Sequence, residues 1–127
     1  MPTFTTLAQR IRDAHPDFAY LHVVEPRMNG EEYQAITTES NDALRRIWAP
    51  RPFIAAGGFD RAEAMRAADS EGEGVLVAFG RHFISNPDLP RRLKNDWPLA
   101  KYDRSTFYTH GPEAVEGYID YPAYAAT

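Results

Sequence analysis

The sequence predicts an α/β fold built on a short parallel sheet, and three observations carry that expectation. Apolar runs of strand length, Ala19–Glu25, Phe53–Ala56 and Val75–Phe79, alternate with segments of helical periodicity. Each run is separated from the next by enough chain for a crossover helix, which makes neighbouring strands parallel and the connections right-handed. Glycine turns, Gly57-Gly58 and Gly80-Arg81, follow the ends of the second and third runs, so both fall on one edge of the sheet.

Each element has a local cause. Phe4, Leu7, Ile11 and Ala14 repeat at helical spacing over Thr3–Ala14, and Pro16 stops the run. Ala19–Glu25, AYLHVVE, is a strand of ordinary length. Pro26–Ser40 is polar, with Asn29-Gly30 as a turn signal. Asn41–Trp48 reads as a short helix with Leu44, Ile47 and Trp48 on one side, and Pro50 and Pro52 bracket the entry to Phe53–Ala56. Asp60 is a good N-cap and Glu63 completes a capping-box pattern, for a helix that buries Ala64, Met65 and Ala68. Gly72 and Gly74 end that connection, and the acidic run Asp69–Glu73 reads as a solvated helix end. Val75–Phe79, VLVAF, is continuously apolar, as expected of a strand covered on both faces. Asn86-Pro87 is expected to open a helix carrying Leu89 and Leu93, with the asparagine as cap. From Trp97 onward the chain is an irregular tail rich in aromatics and proline, packed down by Trp97-Pro98-Leu99.

Three parallel strands with helices on one face cannot close on themselves. Both outer strands are expected to expose backbone donors, acceptors and apolar side chains.

Composition excludes several classes. The 127 residues suffice for a single domain with a modest core. A net charge of −4 argues against nucleic-acid binding, which needs a basic surface. The absence of cysteine rules out disulfides, thiolate metal sites and a cysteine nucleophile. No apolar run approaches the roughly 20 residues of a membrane span, and the N-terminus lacks a signal-peptide core. A cytoplasmic protein is the expectation. His15, His82 and His110 show no ligand spacing with carboxylates, so no metal is expected.

The turns carry the chemistry. Glycine supplies positive φ and lets backbone approach a ligand, and N–H groups at a helix start favour a phosphate. Arg81 adds a fixed fork of donors suited to the same anion. The glycines would equally serve only to end strands. Glu25 and Arg27, at a strand end, read either as acid–base groups or as an ion-pair cross-brace. His22, mid-strand, reads as a hydrogen-bonded core residue. Phe107 and Tyr108 are adjacent aromatics that either cover a flat ring or pack the tail.

Five separated segments, YLHVVEPR (Tyr20–Arg27), FIAAGGF (Phe53–Phe59), LVAFGRHFISNPDLPRRL (Leu76–Leu93), PLAKYDRSTFY (Pro98–Tyr108) and GYIDYP (Gly117–Pro122), occur in the order found in the old yellow enzyme family. The chain therefore resembles that family of FMN-dependent NAD(P)H oxidoreductases, especially its fungal and plant enoate reductases. The resemblance implies the C-terminal portion of a TIM (β/α)8 barrel over residues 1–127. The three strands would be family strands six, seven and eight. It implies an FMN-phosphate site at Gly57, Gly58, Gly80 and Arg81, with Phe107 and Tyr108 as the aromatic pair near the flavin. It further implies NAD(P)H as reductant and a small enone or enal as substrate, in fungi often within secondary metabolism. The family's histidine–asparagine or histidine–histidine pair, tyrosine proton donor and arginine near flavin N1 lie in earlier strands. No catalytic residue is therefore expected here, and the chain is expected to be truncated, to bind FMN weakly or not at all, and to be inactive alone. The alternatives are a non-catalytic module that completes a barrel with another copy or a complementary barrel fragment, and the remnant of a split gene.

Overall fold

The computed structural model describes residues 2–29, 32–33, 38–70, 74–112 and 114–125. The chain divides into two compact units, Met1–Ala78 and Phe79–Thr127.

The first unit contains α1 (Pro2–Ala14), β1 (Leu21–Val24), β2 (Met28–Asn29), β3 (Glu32–Tyr33), α2 (Asp42–Trp48), β4 (Phe53–Ala56), α3 (Arg61–Ser70) and β5 (Val75–Ala78). Strands β1, β4 and β5 form a parallel sheet in that order. Its register aligns Leu21, Phe53 and Val75 at one end and Val24, Ala56 and Ala78 at the other. The carboxyl ends of the strands are therefore level.

One face of this sheet holds the core. Phe53 and Ala55 are buried on it, with Ala8, Leu44 and Trp48 from the helices. Trp48 Nε1 donates to the Pro52 carbonyl at 3.0 Å, and the same carbonyl accepts from the Leu21 N–H at 3.1 Å. One oxygen thus ties α2 and β1 to the start of β4. The Ala49–Pro50 peptide between α2 and β4 is cis.

The opposite face carries His22, Val24, Ile54, Ala56, Leu76 and Ala78, because side chains alternate along each strand. Val24 is 61% exposed and Leu76 54%. The expectation that VLVAF is covered on both faces fails at Leu76, which lies on the second face and is exposed. His22 lies on it and is exposed, so it is not the core histidine expected from the apolar residues around it. The open outer strands β1 and β5 agree with the sequence reading.

The capping box forms at α3. The Glu63 N–H donates to Asp60 Oδ1 at 2.7 Å, and the Asp60 N–H to Glu63 Oε2 at 3.2 Å. The burial pattern departs from expectation. Ala64 and Ala67 are half-buried, whereas Met65 is 48% exposed and Ala68 is exposed. The small alanines let the helix lie close on a sheet too narrow to reach Met65. In the polar stretch, Met28 pairs with Tyr33 and Asn29 with Glu32 in a two-residue antiparallel ladder, which the turn signal alone did not reveal. Gly30, Gly72 and the acidic positions 71–73 lie outside the described residues.

The second unit contains α4 (Arg81–Ser85), α5 (Leu89–Asn95) and a 3-10 turn at Arg104–Thr106, followed by turns and irregular chain. Asn86 does not cap the following helix. It is fully buried, donates to the carbonyls of His82 (2.8 Å) and Ala100 (3.1 Å), and accepts the Ala100 N–H at 2.7 Å. An amide can satisfy a backbone segment from both sides, and here that use wins over capping. Helix α5 starts later, with Asp88 at the cap position and Pro90 in its first turn. Arg92, only 5% exposed, then gathers the tail. Its guanidinium donates to Asp88 Oδ1 (2.7 Å) and to the carbonyls of Pro98 (3.0 Å) and Pro122 (3.2 Å). Trp97 stacks on Tyr124 at 4.8 Å, as expected of a residue that packs the tail down.

Candidate functional site

The level carboxyl edge of β1, β4 and β5 is where the first unit presents polar backbone. Gly57 and Gly58 follow β4 there with φ of +111° and +66°. L-residues with side chains rarely adopt such values. A Cβ on Gly57 would also lie 2.6 Å from Met28 Cγ and 3.4 Å from the Glu25 nitrogen. Glycine is therefore required at position 57 by conformation and by space.

The residues after β1 brace this turn. Arg27 Nε donates to the Gly57 carbonyl at 2.9 Å, and Arg27 Nη1 pairs with Glu63 Oε1 at 2.8 Å. The guanidinium lies over the buried Phe59 ring, 4.5 Å from its centroid. Glu25 pairs with Arg45 of α2 at 2.5 Å, and Asn41 Nδ2 donates to the Val24 carbonyl at 3.0 Å. Of the two readings open for Glu25 and Arg27, the cross-brace describes the geometry. Each acts on a different helix.

The start of α3 offers less to an anion than its sequence suggests. Its capping box already occupies the N–H groups of Asp60 and Glu63. Among the described residues, the Gly58 N–H reaches no acceptor.

The remaining expected site residues belong to the second unit. Gly80 has φ −102°, so it does not supply the positive φ expected of it. A Cβ built on Gly80 would meet nothing within 4 Å. Neither conformation nor neighbouring atoms demand glycine there, and what the missing side chain leaves is approachable backbone. Arg81 is the first residue of α4 rather than part of a turn. Phe107 and Tyr108 meet edge-to-face at 6.5 Å. Phe107 packs on Tyr102 (5.5 Å) and Tyr118 (6.4 Å), while Tyr108 is 75% exposed. Phe107 thus packs in the tail, and Tyr108 is presented to the outside.

Arg27 is the residue of this edge whose role residue type did not reveal. Its position three residues beyond β1 and the Asp60–Glu63 capping box are the signals that point to it. Asp103 takes hydrogen bonds from the Ser105 hydroxyl and the Ser105 N–H. These hold its carboxyl below the usual carboxylate range, the hydroxyl being the larger cause. Among the described residues no cluster of three or more potential ligands could hold a metal ion. No described helix is long and apolar enough to cross a membrane.

Residues 2–100 match the model of the NADH:flavin oxidoreductase / NADH oxidase family. The chain is 49% identical over 108 residues to 12-oxophytodienoate reductase 1 of Oryza sativa subsp. japonica, covering 85% of this chain and 27% of that protein. It is 43% identical over 126 residues to the Claviceps fusiformis protein named "Probable inactive dehydrogenase easA", covering 94% of this chain and 32% of that protein. The solved structure of the old yellow enzyme homologue from Zymomonas mobilis superposes with a TM-score of 0.77 at 31% identity, over 95% of this chain and 32% of that one. The chain thus spans less than a third of the length of these relatives. It belongs to the NADH:flavin oxidoreductase / NADH oxidase family, the family of the old yellow enzymes.

Proposed function

We propose that this chain supplies the phosphate-holding end of an FMN site in an NAD(P)H-dependent reductase of activated alkenes. The observation that carries this reading is the braced Gly57-Gly58 turn at the carboxyl edge of the sheet. Such an edge, after the last two strands of a β/α barrel, is the frequent phosphate site. The proposed phosphate residues are those the resemblance implies: Gly57 and Gly58 in the first unit, where the turn offers the Gly58 N–H, and Gly80 and Arg81 in the second, where Gly80 carries no side chain and the arginine is a residue type suited to a phosphate. When bound, FMN supplies the hydride chemistry between NAD(P)H and an enone or enal. This chain's residues hold and orient the phosphate, and Tyr108, exposed beside the packed Phe107, is the ring offered to a flat ligand. No proton transfer to substrate is assigned to them, so the chain alone is expected not to turn over an enone.

Charge-assisted hydrogen bonds contribute about 1.5–3 kcal/mol each, from which the cost of association is subtracted. Weak FMN binding is therefore expected. Fluorescence titration should show FMN bound roughly tenfold more tightly than riboflavin, about 1.4 kcal/mol. Arg81→Gln should remove most of that preference. Equal affinity for FMN and riboflavin, or submicromolar FMN binding that survives Arg81→Ala, would overturn the reading.

A second reading rests on the sheet itself. Strands β1 and β5 are the outer strands of the sheet, and Val24 on β1 and Leu76 on β5 are exposed. This favours a module that completes a barrel by pairing with another copy or with a complementary barrel fragment, contributing no catalytic residue of its own. Light scattering after size exclusion tests the homo-oligomer, and co-expression with the N-terminal barrel portion of a relative tests the fragment. A chain that remains monomeric and captures no such fragment would remove this reading.

A further inference from the structure

We infer that Arg27 is a positioning residue for the phosphate-binding turn, which it holds with the Gly58 N–H turned outward. The inference rests on the FMN reading of the same site and adds how the site is kept ready.

The argument begins with the peptide that joins Gly57 to Gly58. In a trans peptide the C=O and N–H point in opposite directions. Arg27 Nε holds the Gly57 carbonyl at 2.9 Å. The N–H on the other side of that peptide belongs to Gly58, so it points away from Arg27. Two consecutive glycines at positive φ have many alternative conformations, and ordering them costs free energy that a ligand would otherwise have to supply.

Three contacts of Arg27 lie on the segment that carries the turn. Nε fixes the Gly57 carbonyl. The guanidinium plane covers the Phe59 ring at 4.5 Å. Nη1 binds Glu63 Oε1, while the other oxygen of Glu63 accepts the Asp60 N–H at 3.2 Å. One carboxylate thus joins the arginine to the cap of α3. The Arg27 side chain is 17% exposed and that of Glu63 26%. Glu63 balances the charge of Arg27, so the arginine acts through the backbone it holds and not as an anion ligand. A lysine could keep its stem on Phe59 and its charge against Glu63. It lacks the planar fork that reaches both the carbonyl and the carboxylate.

The test compares the chain with Arg27→Met and Arg27→Lys, using two readouts. The first is the 15N order parameter of Gly57 and Gly58 without ligand. It should fall from about 0.85 to below about 0.6 in Arg27→Met, with β4 unchanged. The second is the preference for FMN over riboflavin, which should drop about tenfold while riboflavin affinity stays constant. Should Arg27→Met fail to fold, Arg27→Lys is expected to show the same loosening of the two glycines. A turn that stays rigid in the folded variants overturns the inference, as does a loosened turn with undiminished FMN preference. An unsubstituted chain that does not distinguish FMN from riboflavin sinks the FMN reading instead, and the order parameters then still decide whether Arg27 holds the turn.

Discussion

Replacing Trp48 by alanine is expected to destabilise the Met1–Ala78 unit by about 3–5 kcal/mol, the usual cost of deleting a large buried aromatic. Trp48 is fully buried at the end of α2. Phe18 meets its ring edge-on at 5.8 Å, and the Arg51 guanidinium lies 5.4 Å from its centroid. Its indole N–H is one of two donors on the Pro52 carbonyl. Deletion therefore removes apolar burial and the contact that ties α2 to the β1–β4 start. Trp48→Phe keeps a ring in place, and the Pro52 carbonyl keeps its bond from Leu21, so its cost should be about 1–2 kcal/mol. Urea unfolding followed by far-UV circular dichroism measures both. Equal midpoints for Trp48→Ala and the unsubstituted chain would show that α2 does not anchor the sheet. Since native domains are stable by only about 5–15 kcal/mol, the alanine variant should also lose whatever ligand binding the Gly57-Gly58 turn provides.

Arg92→Leu is expected to release the tail of the second unit. The substitution leaves the carbonyls of Pro98 and Pro122 without their donor, at about 2–4 kcal/mol for the two. It also strands Asp88, whose Oδ2 accepts the Tyr124 N–H at 3.0 Å. Trp97, stacked on Tyr124, reports the event, and its emission should shift to the red as that contact opens. Arg92→Lys keeps a charge near Asp88 but not the fork, and should fall between the two. An unshifted Trp97 spectrum in Arg92→Leu would show that the tail is held by other contacts.

The same pair predicts a pH dependence. The Asp88 carboxyl is held below its ordinary value, first by the Arg92 side chain and then by the Tyr124 N–H, against an opposing effect of burial. A carboxylate whose folded pKa is depressed stabilises the fold at pH above its unfolded value, about 3.9. That contribution is lost as pH falls through the lower folded value. Tail anchoring should therefore weaken below about pH 4, read by Trp97 fluorescence. Asp103, also lowered, first by the Ser105 hydroxyl, contributes with the same sign. Asp88→Asn should flatten part of the acid slope and leave the part due to Asp103.

How much of this could be read beforehand depended on the range of each interaction. Helix α1 and strand β4 were legible almost to the residue, because periodicity and flanking prolines act within one or two turns of chain. The Asp60–Glu63 cap was legible for the same reason, since both partners lie three residues apart. The start of α5 was misread because Asn86 satisfies backbone fourteen residues away instead of the helix beside it. The exposed faces of His22, Met65 and Leu76 were misread because an apolar pattern says which side chains suit burial, not whether anything arrives to cover them.

The candidate site divides along the same line. Residue type and order are enough to show that glycines follow β4 and β5, that Arg81 stands next to one of them, and that aromatics accumulate in the tail. The packed fold was needed to show that Gly57 and Gly58 take positive φ while Gly80 does not. It alone decided that the cap of α3 consumes donors a phosphate would otherwise use, and that Arg27 holds the turn from thirty residues away. Hydrogen-bond partners so distant in sequence become neighbours only when parallel strands set their carboxyl ends level.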